Sequence, residues 1–234
     1  MFGVNYAGDG VINYRSASEV NQAMGRVYGY MGLAVIISML VSMFVGTNEE
    51  LVKFFFTGIM HWVVVFAPLV AVFLLVPFMN SDPPKGLAVL ALSGFAALMG
   101  LSFAVIFAVY TTWSIFNAFM GAAVLFGTMS FYGYFTKQSL DSIGKWCFVG
   151  LIAIIIASII NMFLGMKEMQ MVISAIAIII FLGLTAYDTQ QIREMVSVDS
   201  SPAVEAMGAL TLYLDFINLF LNLLQLFGIS KSND

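Results

Sequence analysis

The chain has 234 residues, of which 61% are hydrophobic and only 9% charged, and its mean hydropathy is +0.98. Soluble domains carry about a quarter of their residues as charges, so this balance describes a membrane protein and leaves no room for a separate soluble domain. Nine Lys and Arg against thirteen Asp and Glu provide no basic patch for nucleic acid, and a single cysteine, Cys147, excludes an intrachain disulfide or a cysteine metal cluster.

Residues 1–25 are polar and rich in Gly and Asn. They read as a cytoplasmic arm ahead of a retained span rather than a cleaved signal peptide. Seven stretches approach the roughly 20 residues that a helix needs to cross hydrocarbon: 26–46, 61–79, 87–110, 115–135, 146–165, 170–191 and 208–228. Breaker-rich connectors separate them, among them "GTNEE" at 46–50, "NSDPPKG" at 80–86 and "TKQSLDSIGK" at 136–145. "TTWS" at 111–114 is so short that the third and fourth spans must form an antiparallel hairpin. The stretch "IREMVSVDSSPAVEAM" at 192–207 reads as the one long connector. The domain plan is thus an arm at 1–25, an all-α membrane unit at 26–228 and a short polar tail at 229–234.

Orientation follows from Lys and Arg near the span ends. With the N-terminus cytoplasmic, that side holds Arg15, Arg26, Lys85, Lys137, Lys145 and Arg193, and the far side holds Lys53, Lys167 and Lys231. Six against three favours an internal N-terminus and, after seven spans, an external C-terminus. Asp188 then lies near the cytoplasmic end of the sixth span and Asp215 about two turns into the seventh.

The seventh span carries Thr211, Asp215, Asn218, Asn222 and Gln225, spaced by four, three, four and three residues. At about 100° per residue these five share an arc of about 80°, and the other faces are Leu, Phe and Ile. Lipid offers nothing to hydrogen-bond, so such a stripe must face protein, water or a polar partner. On the sixth span Ser174, Thr185 and Asp188 fall within about 60° of one another and supply the counterpart. Asn and Gln at such positions commonly hold helices together; carboxylates are costlier for that purpose, which marks Asp188 and Asp215 as the functional candidates.

Two carboxylates brought close in a poorly solvated site cannot both ionise cheaply, so the pair is expected to share a proton. Loss of that proton would leave two repelling anions with hard oxygen donors suited to calcium. The amide oxygens of Asn218 and Asn222 could continue an ion path.

"GLTAYDTQQI" at 183–192 and "LYLDFINLFLNLLQLFG" at 212–228 resemble the paired motif of the Bax inhibitor-1, or transmembrane Bax inhibitor motif, family, in particular its short bacterial members. The resemblance covers essentially the whole chain. It implies seven spans, with the last one central and wrapped by the other six, in a bacterial inner membrane. It also implies a pH-sensitive calcium leak without a cofactor, controlled by carboxylates that match Asp188 and Asp215. In one type of relative an arginine on the second span pairs with the sixth-span aspartate. Here that span, "HWVVVFAPLVAVFLLVPFM" at 61–79, has no Lys or Arg to act as the latch.

Two other functions compete. Some bacterial relatives modulate a membrane-bound protease, so the chain could bind another membrane protein through its arm without transporting anything. Intramembrane aspartyl proteases also carry Tyr-Asp on one span and Asp on the next. Their second aspartate follows a glycine, however, and here Leu212, Tyr213 and Leu214 precede Asp215 with no Pro-Ala-Leu after it, so an enzyme is not expected. His61 reads as an interfacial residue, the sixteen scattered methionines as packing, and Glu49 and Glu50 beside Lys53 as an outer loop. "GDG" at 8–10 has no strand–helix context for a phosphate loop. Trp62, Trp113 and Trp146 sit near span ends, where an aromatic belt belongs.

Overall fold

Ser16 opens the first helix with a capping box. Its side chain accepts from the Glu19 backbone amide, and the Glu19 carboxylate accepts from the Ser16 amide at 2.8 Å. In the computed structural model, which describes residues 14–231, α1 therefore runs Ala17–Gly46 and begins inside the polar arm. The "GDG" segment, most of the arm and the last three residues of the tail lie outside the described residues. The remaining helices are α2 Glu49–Phe56, α3 Gly58–Asn80, α4 Lys85–Val109, α5 Thr112–Phe135, α6 Asp141–Leu164, α7 Lys167–Val198 and α8 Pro202–Phe227. Seven of the eight are long and apolar enough to cross a membrane, matching the seven predicted spans. No strand occurs among the described residues.

Two connectors differ from the sequence reading. "GTNEE" turns and at once starts α2, because the Asn48 side chain accepts from the backbone amides of Glu50 and Leu51. The expected connector at 192–207 is mostly helix. Arg193, Glu194 and Met195 are good helix formers and carry α7 to Val198, while Ser201 caps α8 and Pro202 takes its first turn. Three residues, 199–201, join the two helices. At 1.5 Å per residue, Asp188 lies about 15 Å from the end of α7 and Asp215 about 20 Å inside α8. Both stand farther from their helix ends than the sequence reading placed them.

The last helix is central, as expected. Of the most apolar stretch of each span, 67% is buried in α8, against 39% in α7, 17% in α3 and 6% in α6. Helices α1, α3, α4, α5 and α7 pack directly on α8, whereas α6 packs only against α7 and covers the centre at one remove. The large outward side chains, including Phe73, Leu74, Phe131 and Phe163, are exposed for lipid to cover. Trp62, Trp113 and Trp146 are also exposed, near the starts of α3, α5 and α6. His61 stands beside Trp62 and Phe56, in the aromatic surroundings expected of an interfacial position.

Candidate functional site: a carboxyl pair on an open polar seam

α7 and α8 form an antiparallel hairpin, which brings Asp188 and Asp215 together. Asp215 is 4% exposed and Asp188 half-buried, and their carboxyl groups lie close enough to interact directly. Ionised carboxylates only accept, so a hydrogen bond between the two would need a proton held between them. Oδ2 of Asp215 is buried without a hydrogen-bond partner among the described residues. An orphaned carboxylate oxygen in a dry site is costly, which leaves a proton, a water or a passing cation as its complement.

The neighbouring helices close tightly around Asp188. A Cβ on Gly144 of α6 would stand 2.5 Å from the Tyr187 ring, so α6 can lie over this part of α7 only without a side chain there. On the α5 side, Tyr28 of α1 bonds Ser130 of α5 at 2.5 Å, and Ser130 bonds Thr189 of α7 at 3.0 Å. This hydroxyl chain ties three helices together beside Asp188.

The rest of the stripe divides in two. Gln225 accepts from Ser174 at 2.8 Å and from Gln170 at 2.9 Å, and Gln170 accepts from Asn161 at 3.2 Å. That end of the seam is interhelical adhesive. Asn218 and Asn222 instead donate to the Leu214 and Asn218 carbonyls of their own helix, each at 2.8 Å. A carbonyl can only accept, so this fixes their Nδ2 atoms and leaves Oδ1 as the group each amide presents elsewhere. Thr211 and Thr185 likewise bond back to Met207 and Phe181.

The exposure of α8 has a period. Met207, Thr211, Leu214, Asn218, Leu221, Asn222 and Gln225 are half-buried or exposed residues of one face, and between residues 208 and 224 the rest of the helix is buried. α3 and α7 do not pack against each other. The polar stripe thus borders an open seam of the central helix. Within a membrane, polar groups on such a seam require water or ions, since acyl chains cannot satisfy them.

An ion pair that the sequence reading missed lies toward the start of α8. Arg26 reaches Glu205 through Nε at 2.9 and 2.8 Å and through Nη2 at 2.5 Å, and the Glu205 side chain is 4% exposed. A span that starts at 26 makes Arg26 a loop charge. Its position at the edge of an apolar run, with an acid in the first turn of the last helix, is the available signal.

Among the described residues no group of three or more His, Cys, Asp and Glu side chains comes together. Calcium takes roughly six to eight oxygen ligands, more than two carboxyl groups provide by themselves.

A carboxyl pair, Asp215 buried and Asp188 half-buried, within a bundle of seven spans defines a polytopic helical membrane protein with an acidic site between its helices. The family model described as "Inhibitor of apoptosis-promoting Bax1" matches residues 20–232. Inner membrane protein YbhL of Escherichia coli is 35% identical over 211 residues, covering 88% of this chain and 90% of YbhL. A Rickettsia prowazekii protein, RP147, is 36% identical and covers 88% of each chain; a Streptococcus pyogenes membrane protein, SpyM3_0260, is 33% identical over 94% of this chain and 98% of its own length. The chain belongs to the Bax inhibitor-1 family.

Proposed function

We propose that this protein is a pH-sensitive cation leak, with calcium as its cargo, gated by the Asp188–Asp215 pair. The observation that carries the reading is the carboxyl–carboxyl contact with an unpartnered buried oxygen on a half-open polar seam. With a proton between them, the carboxyls hold α7 to α8. Losing the proton turns one attractive hydrogen bond into repulsion between two anions in a poorly screened site. The hairpin then opens, and both carboxylates become cation ligands. Because opening releases a proton, raising the pH favours the leak.

The Oδ1 atoms of Asn218 and Asn222 continue the acceptor path along the seam. The membrane is a bacterial inner membrane, with the N-terminus cytoplasmic and the C-terminus external. The test is calcium entry into vesicles holding only the purified protein, across a pH series. Entry that rises with pH supports the leak. Silence at every pH refutes it and leaves the alternative, a membrane-embedded regulator that binds another membrane protein such as a protease.

A further inference from the structure

α1 and α5 are joined at one end and parted at the other. The Tyr28–Ser130 and Tyr134–Asn21 hydrogen bonds tie them near the α7–α8 connector, yet the two helices are not otherwise in close backbone contact. Toward the opposite end, α1 is held away by its close fit to α4: a Cβ on Gly100 would stand 2.5 Å from the Ser38 carbonyl oxygen. α5 is held to α8 by edge-to-face contacts of Phe119 with Phe216 and Phe220. Between these fixed walls lies a cavity of about 210 Å³.

Its lining includes Met39, Met43, Ile106, Phe119, Ile217 and Phe220 and has no charged side chain. Ser38 and Ser42 also line it, but their hydroxyls are engaged by the Val35 and Met39 carbonyls of their own helix, each at 3.0 Å. The remaining polar side chain of the lining, Thr112, is exposed at the start of α5, so the interior of the cavity is apolar. Apolar cavities of about 150 Å³ stay dry and take up benzene; this one is larger. Met39, Met43 and Phe116 line it and are also exposed on the lipid-facing surface, so it opens sideways into the bilayer rather than to water.

We propose that this cavity is a binding site for one acyl chain of a phospholipid from the leaflet nearest the ends of α4 and α8. The surrounding solvent is hydrocarbon, and a tail entering past Met43 and Phe116 fills a space the side chains leave open, restoring dispersion contacts that a void forfeits. The tail rests on Phe216, Ile217 and Phe220, which lie about 100° or more around α8 from Asp215. It therefore supports the central helix from behind the polar seam without obstructing it.

The test uses the full chain in phosphatidylethanolamine–phosphatidylglycerol vesicles that contain a phospholipid with a diazirine near the end of one tail. After irradiation, mass spectrometry should find adducts on Ile217 and Phe220, although both are buried within the protein, besides adducts on the outward Val124 and Phe131. Ser42→Phe, which fills the cavity, should lower the Ile217 and Phe220 adducts at least five-fold and leave Val124 and Phe131 unchanged; Ser38→Leu serves if that variant does not fold. Adducts confined to Val124 and Phe131 in the wild type, or inner adducts indifferent to filling, overturn the site.

Discussion

A Cβ placed on Gly133 would stand 2.1 Å from the carbonyl oxygen of Ala186, so α5 and α7 touch backbone to backbone two residues before Asp188. Gly133→Ala is expected to push the helices apart and lower stability by about 1–3 kcal/mol, the usual range for overpacking. Gly127, on the same helix, has open space around its Cβ position, and Gly127→Ala should be neutral or slightly stabilising. Thermal unfolding in micelles compares the two. Equal behaviour would mean that the close approach does not exist in solution.

The carboxyl pair makes a stricter prediction. Asp215→Asn and Asp188→Asn each remove one member of the proton-sharing pair, so the rise of calcium flux with pH should flatten in both. The double variant should be little worse than either single one, because both act on one coupled site. Effects that simply add, or wild-type pH profiles in both single variants, would rule out a dyad.

Two amides of the same stripe should behave differently. Asn222 bonds its own helix, so Asn222→Leu should leave the folded protein abundant while calcium flux drops. Gln225 joins α8 to α7, so Gln225→Leu should lower stability by about 1 kcal/mol, the typical worth of such interhelical bonds. Folded yield and flux per molecule separate the two outcomes. Lost abundance for Asn222→Leu, with unchanged flux per molecule, would make that residue adhesive too.

The Arg26–Glu205 pair should respond asymmetrically. The Arg26 side chain is 39% exposed and the Glu205 side chain 4%. Arg26→Gln strands a buried carboxylate and should cost about 3 kcal/mol. Glu205→Gln leaves an arginine that can turn to water, and its cost should be about half that. Chemical denaturation of both variants measures the difference, and an equal cost would contradict this burial pattern.

Topology can be checked directly. A reporter after Asp234 should read external and one within 136–145 cytoplasmic. A cytoplasmic reading at the C-terminus would contradict the charge count.

What the sequence revealed depended on whether the signal was periodic. The stripe from Thr211 to Gln225 and the pairing of Asp188 with Asp215 were legible because charge and amide groups inside apolar runs have few permitted environments. Helix ends were less legible: Arg193 and Glu194 looked like loop because they are charged, yet a helix can leave the membrane without ending. The Arg26–Glu205 pair escaped for the same reason, since its arginine fell on a presumed boundary. The α1–α5 cavity had no signature at all, because Phe, Met and Ile read alike whether they fill space or border it.

The central position of α8 has a consequence for assembly. It is the last helix of the bundle to be synthesised, and its mean hydropathy of 1.5 is shared only with α5 as the lowest among the seven spans. Five helices that will pack on it must therefore reach the bilayer before their common core exists. Their inward faces have only one another and lipid until α8 arrives, and α8, with its carboxylate and amides, is a poor candidate for insertion into plain lipid. The bundle is thus expected to close in a single late step, with α7 and its three-residue connector leading α8 into place. A stall in translation before residue 202 would leave an assembly without a centre, open to quality-control proteolysis.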